Sequence, residues 1–155
     1  MNHVEVSALL PNQRPDEAYE MLRAFDRYPE YTDSVIRVDM STLVDNCSRC
    51  DWEVRFRRGI LKWTEEDRFD DEARRADFHL IDGDIDHFVG YWMVTDAGSG
   101  SLYEFAVEFD MGIPTLAHII EPIAARTLRD NMVRILEGLF GVVNLREPAD
   151  LIAEE

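Results

Sequence analysis

The chain has 155 residues, of which 46% are hydrophobic and 10% aromatic, enough for one globular domain with a real core. Its 32 acidic residues against 16 basic ones give a formal net charge of -16, a balance that repels phosphate backbones and anionic lipid surfaces and argues against nucleic acid as a partner. No apolar run approaches the roughly eighteen residues of a membrane span, and Met1-Asn2-His3-Val4-Glu5 lacks the basic and apolar regions of a signal peptide, so the expectation is a soluble cytoplasmic protein.

In chain order, residues 4–9 alternate as a first strand, ended by Pro11. Pro15-Asp16-Glu17 then opens a helix with proline and acids in its first turn, and Ala18, Met21, Leu22 and Phe25 form its apolar stripe. A second short helix or turn falls around Tyr28-Pro29-Glu30-Tyr31. From about 35 to 109 the pattern predicts six strands, with turns near Asn46, Gly59, Glu72, Gly83 and Gly98-Ser99-Gly100. Pro114 starts a long helix to about 140, with Leu116, Ile120, Ile123, Leu128, Ile135 and Leu139 on one face. Pro122 predicts either a kink or a short helix joined to a long one. The domain ends near residue 145, and residues 146–155 read as an acidic tail.

The strand around Trp63 carries the most chemical information. Alternation places Trp63, Glu65, Asp67 and Phe69 on one side. Large aromatic residues at both ends favour an inward direction, which would bury two carboxylates that must then be paired, hydrogen-bonded or wet. The other reading is an outer strand with Glu65 and Asp67 solvated. On the preceding strand Trp52, Val54 and Phe56 share a face with Arg58, while Arg55 and Arg57 point outward. Arg58 is therefore the candidate counter-ion or ligand-binding cation near the Gly59 turn. Asn131 falls on or beside the apolar stripe of the last helix, where its amide needs a partner or a ligand. His79 reads as a surface histidine, whereas His87 lies on a strand with apolar residues on both faces and is a second candidate for proton transfer.

Cys47-Ser48-Arg49-Cys50 has the spacing of a redox dithiol or of half a zinc site. The four histidines show no metal-type pairing, and Asp45-Asn46 and Asp51 mark a hairpin turn instead. The expectation is no metal and two dispensable cysteines.

The order of elements, with Trp63-Thr64-Glu65-Glu66, Gly83, Gly90-Tyr91-Trp92, Glu108-Phe109-Asp110-Met111 and Arg129-Asp130-Asn131-Met132, resembles the START/Bet v 1-like superfamily, and within it the tetracenomycin-type polyketide aromatase/cyclases. Coenzyme-Q-binding members of the superfamily are also similar. The resemblance covers about residues 4–140 and implies an α+β helix-grip fold: a seven-stranded antiparallel sheet curled around the C-terminal helix, with two short helices between strands 1 and 2. It further implies a cofactor-independent cyclase that closes rings in a poly-β-ketone held by an acyl carrier protein. In that picture Trp52, Trp63, Trp92 and Tyr28 shape an aromatic tunnel, Asp67 or Glu65 takes the proton between two carbonyls, and Asn131 and Tyr103 hydrogen-bond the enolate or the accepting carbonyl. The chain departs from the family pattern at Asp67, where the comparable enzymes carry an arginine that holds or polarises a carbonyl. An aspartate can instead accept a proton or, once protonated, donate one. The alternative is a non-catalytic carrier of a quinone, a lipid or an aromatic polyketide.

Overall fold

A computed structural model describes residues 2–57, 59–112 and 117–146, with side chains from residue 122 onward in the last segment. Strand β1 (Asn2–Pro11) is followed by helix α1 (Pro15–Arg23) and a 3-10 turn over Phe25–Glu30. Six strands then run as a meander: β2 (Val35–Val44), β3 (Cys47–Phe56), β4 (Gly59–Asp70), β5 (Arg75–Gly83), β6 (His87–Asp96) and β7 (Gly100–Asp110). Helix α2 (Ala117–Phe140) and a short β8 (Asn144–Arg146) complete the described chain. All pairings are antiparallel, in the order β2-β3-β4-β5-β6-β7-β1-β8.

This is the expected helix-grip architecture, with eight strands rather than seven. The extra strand, β8, is three residues long and pairs with β1, too short to leave a periodic signal of its own. Arg146, assigned above to the tail, closes that strand, and residues 147–155 lie outside the described chain. The expected hairpin turns are found, except that the one read across Cys47–Cys50 closes earlier, at Asp45-Asn46. Asp45-Asn46 forms a two-residue loop in which Asn46 takes φ 59°, a left-handed conformation that asparagine tolerates.

Helix α1 begins as predicted, with Pro15 at its start and Asp16 and Glu17 in its first turn. It buries Ala18, Tyr19 and Leu22, so Tyr19 takes the inner position expected of Met21. Helix α2 passes through Pro122 as one helix, not as two. Its inner face is Ala124, Leu128, Met132, Ile135, Leu136 and Leu139, and the expected Ile123 is exposed. The predicted start at Pro114 and the side chains of Leu116 and Ile120 lie outside the described residues.

Two glycines position what faces the helix. Gly83 has φ 140°, and a Cβ there would sit 2.4 Å from the Trp63 Cα. Only glycine lets the end of β5 close over β4 at this point, beside the register shift between Thr64 and Glu65. Gly90 pairs with Phe78 across β5–β6, and its missing side chain leaves room for the Phe78 ring, whose Cζ would lie 2.9 Å from a Cβ. Aromatic rings fill the inner face around these glycines. Phe25 alone touches Tyr28, Trp52, Phe69 and Trp92.

Candidate functional site

β4 decides the question left open by periodicity. Its side chains alternate buried and accessible from Leu61 to Asp70, and Trp63, Glu65, Asp67 and Phe69 all point inward. Glu65 is 4% exposed and Asp67 0%. These are the values of core residues, so the solvated reading of the pair is excluded.

The inward carboxyls line an internal cavity of about 90 Å³ between sheet and α2. Trp52, Trp63, Trp92, Tyr28, Tyr103 and Asn131 share its wall with them. The fold thus brings together eight of the ten residues expected at the site. Trp52 and Trp63, cross-strand partners on β3 and β4, stack with centroids 5.7 Å apart and planes 4° from parallel. Tyr28 donates its hydroxyl to the Leu22 carbonyl, and Tyr103 reaches the Met132 Sδ at 3.3 Å.

Of the other two expected residues, His87 does not join this wall. His87 lies on the outer face of β6, with Nε2 3.1 Å from the Glu108 Oε1 on β7, and does not line the cavity. Its face was ambiguous because Val89 and Tyr91 give the outer side an apolar look; Val89 is exposed, and Tyr91 lies under the Arg75 guanidinium at 4.0 Å. Arg58 lies outside the described residues. Asn131 does line the cavity, but its Nδ2 donates to the Arg55 carbonyl at 2.8 Å. Its amide therefore ties α2 to the end of β3 beside the cavity.

The carboxyl pair is bound unequally. Trp63 Nε1 donates to Glu65 Oε1 at 2.8 Å. Trp52 Nε1 approaches the same carboxyl without closing a bond of good geometry. Neither Asp67 oxygen accepts a bond from a fixed donor. What faces Asp67 is Glu65 on its own strand and Cys50 on β3, each able to donate to it while protonated. Burial raises both carboxyl pKa values: Asp67 is pushed up to about 6, and Glu65, which also feels the Asp67 charge, rises well above the usual range. Two carboxyls so placed do not ionise independently, and the charge on one opposes the loss of a proton from the other. Burial likewise pushes the Cys50 thiol and the Tyr28 and Tyr103 phenols upward, so these remain neutral donors.

Cys50 is the site residue that sequence reading missed. Its parity with Trp52 was a sufficient signal, but the turn expectation for Cys47–Cys50 concealed it. The turn lies one residue earlier, and both cysteines belong to β3. Three residues apart on a strand, they face opposite sides, Cys50 toward Asp67 and Cys47 toward Glu66 Oε1 at 3.2 Å. Their Cα atoms are about 10 Å apart at ordinary strand rise, too far for a mutual disulfide. Among the described residues, no group of three or more His, Cys, Asp and Glu side chains could hold a metal ion.

The arrangement can therefore present one held proton and one carboxylate to a compound enclosed by aromatic rings. The comparisons with known proteins agree with the fold. Structures of similar shape include TTHA0849 from Thermus thermophilus, with a TM-score of 0.82 and 19% identity over 99% of each chain. The Zhui aromatase/cyclase from Streptomyces sp. R1128 matches at 0.75 and 16%, covering 90% of this chain and 92% of that one. The major latex-like protein 151 of Panax ginseng matches at 0.68 and 12%, covering 88% and 93%. No curated protein matches the chain in sequence. The family model described as polyketide cyclase / dehydrase and lipid transport matches residues 12–136, most of the chain and every element that builds the cavity wall, and the chain belongs to that family.

Proposed function

We propose that the protein is a polyketide cyclase that uses the Glu65–Asp67 pair as base and acid for an aldol-type ring closure. The observation that carries this reading is the pair itself: two buried carboxyls on a cavity wall, both pushed by burial toward their protonated forms, with no fixed donor on Asp67. Asp67 removes the proton from a carbon between two carbonyls of a poly-β-ketone. The resulting enolate carbon bonds to a second carbonyl carbon, and the alkoxide formed there takes the proton held by Glu65. The pair ends with its proton on Asp67 and relaxes by internal transfer. Trp52, Trp63 and Trp92 hold the chain in a folded conformation, a positioning effect that contributes more than either proton transfer. Tyr103 and Asn131, both on the cavity wall, would hydrogen-bond substrate oxygens, Asn131 through the amide hydrogen not given to the Arg55 carbonyl. Because the cavity is small beside typical ligand sites of about 300–1,000 Å³, a long substrate enters by widening the gap between α2 and the sheet.

An acyl carrier protein would deliver such a substrate. Arg55 and Arg134 lie with Asp33 and Glu137 in a surface groove that shares Ser34 with the cavity wall, and the two guanidinium groups would be its contacts to an acidic partner. The alternative reading, a carrier of a quinone, lipid or aromatic polyketide, is favoured by the aromatic lining but gives the carboxyl pair no task.

The test is Asp67→Asn, assayed with a poly-β-ketone thioester. The change keeps shape and removes the proton acceptor, so turnover should fall by about 10²–10⁴-fold while ligand binding persists. Unchanged turnover would remove the catalytic assignment. No turnover in the native protein, together with tight binding of an aromatic product, would favour the carrier.

A further inference from the structure

We propose that the cavity also binds a small organic cation, a protonated amine seated against the Asp67 carboxylate with aromatic rings around its carbon body. This goes beyond the cyclase reading and does not depend on it. The wall carries two carboxyls and, among the described residues, no Lys, Arg or His side chain. Both Asp67 oxygens are fully buried and accept no bond from a fixed donor, which leaves them open to an N–H donor brought by a ligand. A neutral apolar guest would leave that carboxylate with only the neutral donors Glu65 and Cys50 beside it; a cation would balance its charge.

The aromatic shell supplies the second half of the recognition. Trp52, Trp63, Trp92, Tyr28, Tyr103 and Phe88 line the same space, and the faces of such rings attract cations most strongly where water is excluded. A cavity of roughly 150 Å³ accommodates benzene, so a volume of about 90 Å³ fits an amine of about four heavy atoms, the size of propylamine. The overall charge of -16 further concentrates cations around the molecule.

The groups facing Asp67 set the pH at which this works. Glu65 on β4, Cys50 on β3, Tyr28 on the 3-10 turn and Tyr103 on β7 surround it, with Cys47 and Glu66 acting from the outer face of the sheet. With Asp67 pushed up to about 6, its carboxylate is charged to meet the ammonium at about pH 7.5. The charge is lost at about pH 5.

All three tryptophans of the chain line the cavity, so intrinsic fluorescence reports binding without any assay of turnover. Propylamine and its neutral analogue 1-propanol would be titrated against the wild type, Asp67→Asn and Glu65→Gln. At about pH 7.5 the amine should bind the wild type at least about tenfold more tightly than the alcohol. That preference should disappear at about pH 5 and in Asp67→Asn, and persist in Glu65→Gln, whose parent residue is already neutral. Equal affinities for amine and alcohol at about pH 7.5 would overturn the proposal, as would a preference that survives Asp67→Asn or is lost only in Glu65→Gln. Should Asp67→Asn fail to fold, a wild-type preference independent of pH overturns it equally. Loss of ketone turnover in Asp67→Asn alongside equal wild-type affinities would reject the amine site and leave the cyclase standing.

Discussion

At the scale of single residues, the governing fact is that two carboxyls are buried without a described cation beside them. Both titrate higher in the folded protein than in the unfolded chain, so the folded state binds more protons. Stability must therefore fall as pH rises through the interval between unfolded and folded values, from about 4 to about 6 for Asp67 and further for Glu65. That displacement, at about 1.36 kcal/mol per pH unit, makes the Asp67 share on the order of 3 kcal/mol. Urea unfolding from about pH 4 to 7.5 should show this decline, and Asp67→Asn should flatten its lower part and raise stability above about pH 6. A wild type that gains stability over that interval would contradict the arrangement. An arginine partner for Asp67 would have predicted the reverse, destabilisation by the same substitution. Cys50 is the other buried group. Both thiols should resist a thiol reagent in the folded protein and react after denaturation without prior reduction.

At the scale of elements, the inner faces of β3, β4 and β6 work as one surface because glycines and turns bring them into register. Gly83→Ala is expected to destabilise by about 1–3 kcal/mol, since the added Cβ meets the Trp63 backbone and φ 140° strains any other residue. It should also disturb the Trp52–Trp63 stack, visible as altered tryptophan fluorescence and near-UV circular dichroism; a spectrum identical to wild type would contradict this placement. Much of this level was legible beforehand. Trp63, Glu65, Asp67 and Phe69 share a side because a strand repeats every two residues, whatever the rest of the fold does. The face of His87 was not legible, because Tyr91 packs under Arg75 and imitates a core residue. Nor was the missing turn at Cys47–Cys50, since one residue of displacement along a hairpin reverses what points inward.

At the scale of the molecule, the groove beside the cavity holds Arg55 and Arg134 among Asp33 and Glu137, and an acidic carrier would pair with those two arginines. Arg134→Glu is predicted to raise KM for a carrier-bound substrate by about tenfold, with a much smaller effect on a free thioester of the same chain. Equal effects on the two substrates would remove the groove from the docking surface. Among the described residues no helix is long and apolar enough to cross a membrane, which agrees with the hydropathy of the chain. The sequence by itself determined the succession of strands and helices, most of the hairpin turns and which residues of the Trp63 strand share a side. Each of these follows from local periodicity and from residues that tolerate only certain backbone angles. Only the tertiary structure decided that Asp67 meets Cys50 and Glu65 and that Asn131 holds the Arg55 carbonyl. It alone showed that His87 turns to Glu108 and that the aromatic residues leave a cavity and not a solid core. These depend on register and packing between residues far apart in the chain, which the two-residue and 3.6-residue periods do not encode.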